Sequence, residues 1–430
     1  MAEQSNALSQ GGAAALSQGG AAALVTETQV DGLAYTDRAV FDAELDRIFT
    51  QGWVFVGHES EIPTPGDYVT RNLGRDPVVM VRGRDNSINV LANRCAHRGV
   101  TLLQQPQGNA KAFACIFHGW TYGLDGSLKG MPQPKGLAVD RDDCALDRPG
   151  QVASHQGFVF ANQSGTGGSL EDHLGVGGAA LLDWVADLSP IGELDLSAGW
   201  LGQEVASNWK MWAESDLDGY HLGALHSSLW RVVPDSQYQA AVMAGEDIVK
   251  ATTRDRGHGH VELEFWRGYD RQLAWLGVSR ERVSDYCQAL EERHGRERAE
   301  ELLWQGPPHA LIFPNLFLGE MNLAIIEPVA AGQTIHHHTP LTLAGVEPSF
   351  NQRILRQSEA AMGPAGFLLP DDAAAAERMQ VAFGHSGGWM DLSRGIGREV
   401  VEANGDRVGH VSDEIPGRGF WRHWRSVMTS

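Results

Sequence analysis

Cys95-Ala96-His97 and Cys115-Ile116-Phe117-His118, with seventeen residues between them, supply two thiolates and two imidazoles in two mixed pairs. A cluster with two inequivalent irons uses such a set: two cysteines hold one iron and two histidines the other. This is Rieske ligation of a [2Fe-2S] cluster, and His in place of Cys on one iron raises the reduction potential. Tetrahedral zinc also accepts two Cys and two His, but zinc sites usually pair Cys with Cys and His with His at short spacing. The mixed pairs Cys-x-His and Cys-x-x-His favour the iron–sulfur cluster. Glycine beside each pair, Gly99 and Gly119, suits tight turns. Backbone amides in such turns can donate to the cluster sulfurs.

A second constellation runs from Asn208-Trp209-Lys210 through Glu214-Ser215-Asp216-Leu217-Asp218-Gly219-Tyr220-His221 to His226. Two His and a carboxylate on one face, with positions left open for oxygen, are the ligands of mononuclear non-haem Fe(II) oxygenases. His-x4-His alone is a weak signal. On a regular helix that spacing puts the rings about 140° apart. His221 and His226 can converge only if the helix is widened or broken, and a π-bulge would do it. The third ligand must be a carboxylate from elsewhere in the chain.

The flanks of the first constellation are Asn93-Arg94, Arg98-Gly99 and Gly119-Trp120-Thr121-Tyr122. With both constellations in one chain, the sequence resembles the large (alpha) subunit of Rieske non-haem iron aromatic-ring-hydroxylating dioxygenases, from about Val25 to the C-terminus. The resemblance implies that Cys95, His97, Cys115 and His118 hold the [2Fe-2S] cluster. It also implies that Gly363 to Asp372, followed by Glu377, supplies the third iron ligand. In that pattern the ligand is the second Asp, Asp372, beside His221 and His226. Asp371 and Glu377 would then support or cap. Pro370-Asp371-Asp372 also suits the start of a helix running through Met379, since acids favour the N-terminal turn. The resemblance gives Asp218 a catalytic role: it accepts hydrogen bonds from His221 and from the second Rieske histidine, His118, of a neighbouring subunit. A carboxylate between two metal-bound rings fixes both and offers a short electron route. Trp120 and Tyr122 read as packing residues around the cluster.

Those sites need elements to hold them. The chain has 430 residues, enough for two domains. Val40, Phe41, Leu45, Ile48 and Phe49 predict an amphipathic helix over Arg38–Gln51. From Trp53 to Asn162 short strands alternate with turn residues, including Pro77–Arg82, Ile88–Leu91 and Phe158–Phe160, with Asp125-Gly126 as a hairpin signal. Beyond the Gly-rich link Gln163–Ser169, Arg280–Leu303 reads as a charged helix pair. His309–Leu318, Asn322–Val329 and Thr334–Leu343 read as consecutive antiparallel strands. Helices with an antiparallel sheet make an α+β class. The resemblance makes the first domain an all-β Rieske domain and the second a helix-grip domain, a curved antiparallel sheet around a long helix. The expected divisions are 1–24, a mobile low-complexity tail; 25–51, a helix belonging to the catalytic domain; 52–165, the Rieske domain; and 166–430, the catalytic domain. The tail carries a direct repeat, Ala7–Ala14 recurring as Ala15–Ala22, and lacks the basic and apolar regions of a signal peptide.

Lys plus Arg is 34 against 54 Asp plus Glu, a formal charge of -20, which argues against nucleic acid as a partner. No apolar run approaches membrane-spanning length. There are four cysteines; Cys144 and Cys287 stand apart from the ligand pairs, so there is no disulfide framework. Free thiolate ligands fit a cytoplasmic protein. No Gly-rich dinucleotide fingerprint is evident, so NAD(P)H must be oxidised by another protein. The resemblance implies a ferredoxin and/or reductase as electron donor and a homotrimer or an alpha3beta3 assembly with a small beta subunit. It implies addition of O2 to an aromatic ring as a cis-dihydrodiol. A Rieske monooxygenase, hydroxylating or demethylating, is the alternative, and a Rieske electron carrier without catalysis a remoter one.

Substrate identity is largely out of reach of the sequence. Ser215, Asp216 and Leu368 are the expected pocket residues. Relatives that oxidise hydrocarbons carry an apolar residue where this chain has Asp216. A buried carboxylate needs a partner, so a polar-substituted substrate (amino, N-heteroaromatic or carboxylate) is expected. Asp216 turning toward a protein cation is the structural alternative. An aromatic carboxylate would need Arg231 or Arg254 in the pocket. His336-His337-His338 is expected in a partly exposed strand, where alternate residues point apart. Gly257-His258-Gly259-His260 is a loop lining the site or only a turn.

Overall fold

Period-two apolar patterning and β-branched residues between Trp53 and Asn162 give sheets, while the acidic-basic stretches after Ser279 give helices. A computed structural model describes residues 20–135, 138, 140–232 and 250–429. Most of the N-terminal repeat lies outside the described residues. Gly20–Ala23 form a 3-10 turn, and Leu24 is buried. The chain divides into two compact units: Leu45–Leu170, and the chain up to Glu44 together with Glu171 onward.

The 45–170 unit holds three small antiparallel sheets among the described residues. One orders Gln151–His155, Phe158–Asn162 and Val54–His58. The next orders Ile88–Ala92, Asp76–Arg82, Asp67–Leu73 and Gln107–Asn109. The third joins Phe113–Ala114, Thr121–Tyr122 and Leu128–Gly130. Tyr68, Val79, Val81, Leu91, Phe113, Trp120 and Tyr122 form a common core with Cys95 and Cys115. The ligand loops thus start from packed strands.

The other unit is built on a nine-stranded antiparallel sheet among the described residues. Its order is Leu201–Val205, Gln333–Pro340, Asn322–Ala330, Leu316–Gly319, His309–Ile312, Val261–Glu264, Thr252–Asp255, Arg407–His410 and Val400–Val401. The C-terminal helix Ile415–Thr429 packs on the Thr252–Asp255 strand. Its Phe420 meets Trp209 and Phe313 at ring distances of 5.8 and 5.6 Å. This is the α+β arrangement expected from the strand and helix patterns.

One expectation needs correction. The predicted helix Arg38–Gln51 is α-helical only over Arg38–Glu44 and continues as a π-helix over Leu45–Thr50. The expected charged pair is present: Ser284–His294 and Arg296–Gln305 flank Gly295, whose φ of 77° no β-carbon-bearing residue adopts cheaply.

Candidate metal centres and catalytic site

Both cysteine loops close in the same way. Cys95 N–H donates to Val100 O (2.8 Å) and Gly99 N–H returns to Cys95 O (2.9 Å). Cys115 N–H donates to Trp120 O (2.7 Å) and Gly119 N–H returns to Cys115 O (3.0 Å). Each return bond needs a left-handed glycine, and φ is 75° at Gly99 and 70° at Gly119. The two turns bury the sulfurs and bring the His97 and His118 rings to 4.6 Å. His97 stacks on Trp120 at 4.7 Å, and its Nδ1 is buried without a hydrogen-bond partner. An orphaned imidazole nitrogen beside two buried thiols is what a metal cluster would satisfy.

Tyr122 does more than pack. Its hydroxyl accepts from Ala96 N–H (3.2 Å) and lies 3.2 Å from Cys95 Sγ; either of the two can donate while Cys95 is a thiol, and a thiolate there leaves the hydroxyl as donor. Burial alone would raise the Cys95 thiol. Hydrogen bonds from Tyr122 and from the amides of His97 and Arg98 outweigh it and hold the thiol below its ordinary value.

The second constellation starts from a braced helix, Trp209–Ser215, capped by Asn208, whose side chain accepts from Lys210 N–H. Asn208 Nδ2 also donates to Tyr35 O and Ala331 O. Lys210 Nζ is fully buried, 2.6 Å from Glu44 Oε1. Glu44 also accepts from the indoles of Trp209 (2.9 Å) and Trp424 (2.7 Å). Glu214 accepts from Tyr35 (2.7 Å) and from the Trp421 indole.

The helix then breaks rather than widening. No π-turn follows Ser215; the chain turns through Asp216–His221, makes one helical turn at Leu222–Leu225, bends at His226 and resumes at Ser227–Val232. The break turns the two imidazoles toward each other, with Nε2 atoms 3.1 Å apart. Asp372 Oδ1 lies 3.4 Å from each of those nitrogens. Asp372 sits in the first turn of the helix Leu369–Ser386, where Leu368 O receives its N–H. Its carboxylate also accepts from the Ser215 hydroxyl (3.2 Å). A triangle with edges of 3.1–3.4 Å fits three ligands about 2.1 Å from one centre. Among the described residues these three form the group whose geometry could hold a metal ion.

Asp218 lies behind His221, with Oδ2 3.3 Å from Nδ1. Asp371 Oδ2 stands 3.5 Å from Nδ1 of His226. Glu377 instead accepts from Ala206 N–H. Burial pushes the Asp372 carboxyl up to about 6, and burial with the neighbouring His221 charge takes His226 down to about 4. Burial opposes a charge on His221, but Asp218 outweighs it and raises that ring.

Of the expected pocket residues, Ser215 bonds Asp372, Leu368 is half-buried at the helix start, and Asp216 is buried with Oδ2 unpartnered. Among the described residues no Lys or Arg is paired with Asp216. Arg254 is held by Glu402 (2.5 Å), Asp406 (3.1 Å) and Glu264 (3.4 Å), and Arg231 is exposed. The histidine strand alternates as expected, with His337 partly exposed, but the face shared by His336 and His338 is buried, and Trp212 stacks on His336 there. Gly257–His260 is the turn between two strands; His260 bonds His173 O and Phe313 N–H. Cys144 and Cys287 are buried thiols.

Residues 52–141 match the Rieske [2Fe-2S] domain family, and residues 183–430 match the ring hydroxylating alpha subunit catalytic domain. The chain belongs to the ring-hydroxylating alpha subunit family. This alpha subunit is therefore a Rieske oxygenase, an oxidoreductase whose cofactors are a [2Fe-2S] Rieske cluster and Fe(II). It is 31% identical to the 2-halobenzoate 1,2-dioxygenase large subunit of Burkholderia cepacia, over 84% of this chain and 78% of that one. It is 30% identical to the N,N-dimethyl phenylurea N-demethylase subunit alpha of Sphingobium sp. (strain YBL2), over 92% and 90%. Its fold is similar to a naphthalene 1,2-dioxygenase with indole bound in the active site: TM-score 0.80, 26% identity, 95% and 94% of the two chains. Among the described residues, no helix of the alpha subunit is long and apolar enough to cross a membrane.

What the sequence reading missed were the Tyr122 hydroxyl beside Cys95 and the two buried histidines near Asp216. A usable signal existed for the second: His336 and His338 are two apart in a strand and so share a face.

Proposed function

We propose that this chain is the oxygenase component of a multicomponent dioxygenase that adds both atoms of O2 to a polar-substituted aromatic ring, giving a cis-dihydrodiol. Cys95, Cys115, His97 and His118 would hold the cluster, and His221, His226 and Asp372 the Fe(II). The observation that carries the reading is the 3.1–3.4 Å triangle of His221 Nε2, His226 Nε2 and Asp372 Oδ1, in a chain that also carries two Cys/His loops. When bound, the cluster supplies single electrons and the Fe(II) a place for dioxygen.

The residues' own work is positional. Asp218 accepts from His221 Nδ1–H, which fixes the ring and leaves Nε2 free for the metal. Asp371 Oδ2 stands 3.5 Å from His226 Nδ1, which makes no hydrogen bond. Ser215 donates to Asp372 Oδ1 and steadies that carboxylate. Asp218 would further link His221 to His118 of a neighbouring subunit as the electron route. Electrons would come from a ferredoxin or reductase in the cytoplasm, and the assembly would be a trimer, with or without a small beta subunit.

A monooxygenase is the second reading, favoured by the N-demethylase among the relatives. Single turnover of the chemically reduced protein under isotopically labelled O2 separates the two. Two labelled oxygens in the product support dioxygenation; one supports hydroxylation or demethylation. Loaded metals with no oxygenated product from any arene would sink both.

A further inference from the structure

Four polar side chains on the sheet beneath the metal triangle bear on what the pocket can hold. His309, Asn322, His336 and His338 share one face of the nine-stranded sheet, because cross-strand partners in register share a face. His338 pairs Ala324 and His336 pairs Ile326, while Asn322 pairs Gly319, which pairs His309. The end of the helix Trp209–Ser215 lies over this face. Trp212 stacks on His336 at 4.7 Å, and His309 Nε2 donates to Asp216 O (2.6 Å).

His336 and Asn322 are fully buried and His338 is 1% exposed. Neither ring nitrogen of His336 or His338 has a hydrogen-bond partner, nor does either polar atom of the Asn322 side chain, nor Asp216 Oδ2. Leaving one such buried group unmade is costly, and three unpartnered side chains on one sheet face with Asp216 Oδ2 on the helix over it are not a packing accident. Asp216 Oδ2 and His336 Nε2 are 3.9 Å apart. That is too far for a hydrogen bond, but a third polar atom could sit about 2.9 Å from each.

We propose that Asp216 and His336 are the specificity-determining pair, and that together they read one uncharged N–H or O–H group on the aromatic substrate. A hydroxyl would donate to Asp216 and accept from His336; an aromatic N–H would donate to Asp216. Ser215 bonds Asp372, and the Asp372 charge acts on the neighbouring Asp216, so a group read here would belong to a molecule lying beside the metal triangle. An anionic substituent would meet no free Lys or Arg among the described residues, since Lys210 is committed to Glu44 and Arg254 to three carboxylates. The inference rests on the oxygenase reading and narrows its substrate class.

Indole and indene differ only in N–H against CH2, so they isolate the proposed contact. Binding to the metal-loaded protein can be read without turnover, from the change that an arene makes in the EPR spectrum of the ferrous site's nitric oxide adduct. Wild type should bind indole more tightly than indene by roughly five- to hundredfold, the cost of leaving a buried polar group unpaired, and benzoate more weakly than either. Asp216→Val and His336→Leu should each bring the indole-to-indene ratio toward one. Asp216→Asn and His336→Gln keep the shape of the site and should lower the ratio part of the way, which reads the contact even if the apolar variants fold poorly. An unchanged ratio in the conservative variants overturns the proposal and assigns these groups to buried water. So does tighter binding of benzoate than of indole. Absence of any oxygenated product would count against the oxygenase reading and leave the binding ratios to judge the inference by themselves.

Discussion

Asp218 and Asp372 address opposite nitrogens of one ring: Asp218 Oδ2 lies 3.3 Å from Nδ1 of His221, and Asp372 Oδ1 3.4 Å from its Nε2. Asp218 is thus placed to orient a ligand without being one. Asp218→Ala is expected to keep both metals and a reducible cluster. Cluster reoxidation after mixing with substrate and O2 should slow by orders of magnitude. Asp218→Glu should recover little, because one methylene moves the carboxylate off the ring. Reoxidation at the wild-type rate in Asp218→Ala would show that this carboxylate is not on the electron route.

The Tyr122 hydroxyl, 3.2 Å from Cys95 Sγ, is placed to tune a cluster held there. Donation to a ligated thiolate would stabilise the more electron-rich, reduced form. Tyr122→Phe should lower the reduction potential by about 1–2 kcal/mol, or roughly 40–90 mV for one electron. A spectroscopic redox titration reads this, alongside an EPR spectrum of Rieske type after reduction. Stoichiometric zinc with no acid-labile sulfide would remove the basis for the experiment and for the cluster together.

Lys210 and Glu44 should matter for stability more than for chemistry. Both are fully buried at 2.6 Å, and Glu44 also ties down two tryptophans. Lys210→Met leaves Glu44 a buried charge without its cation and should cost about 3–5 kcal/mol. Chemical denaturation of the metal-loaded protein measures it. A loss within about 1 kcal/mol would mean that Glu44 takes up a proton when its partner is gone.

His58 predicts a pH dependence for the 45–170 unit. It caps the turn Glu59–Glu61, accepting from Ser60 N–H, while its other nitrogen donates to Gln156 O. That is the neutral ring, and burial takes its folded pKa from 6.5 down to about 4. Between those values the unfolded chain binds the extra proton. The contribution of His58 is therefore complete above about pH 6.5 and is lost as pH falls toward 4, by up to about 3 kcal/mol. The stability difference between wild type and His58→Gln should shrink over that window. A difference constant with pH would show that the folded ring titrates normally.

The two ligand loops were legible in the sequence because their chemistry is local. A turn of five residues closed by its own backbone bonds sets each Cys/His pair, and a left-handed glycine marks it at Gly99 and Gly119. The strands around them announced themselves by alternation, and the α+β class followed from runs of one period or the other. The convergence of His221, His226 and Asp372 is of another kind. Asp372 is 146 residues beyond His226, and only the packing of the helix that begins at Leu369 brings its carboxylate to the two rings. The sequence called for a widened or broken helix between the histidines. That the helix breaks at Asp216 is a tertiary result, enforced by Glu44, Tyr35 and Trp421 gripping Lys210 and Glu214 just before it. The partnerless polar face was the least legible feature. Alternation puts His336 and His338 on one side of a strand, but whether that side meets water or Trp212 depends on which strands flank it in the sheet and what covers it.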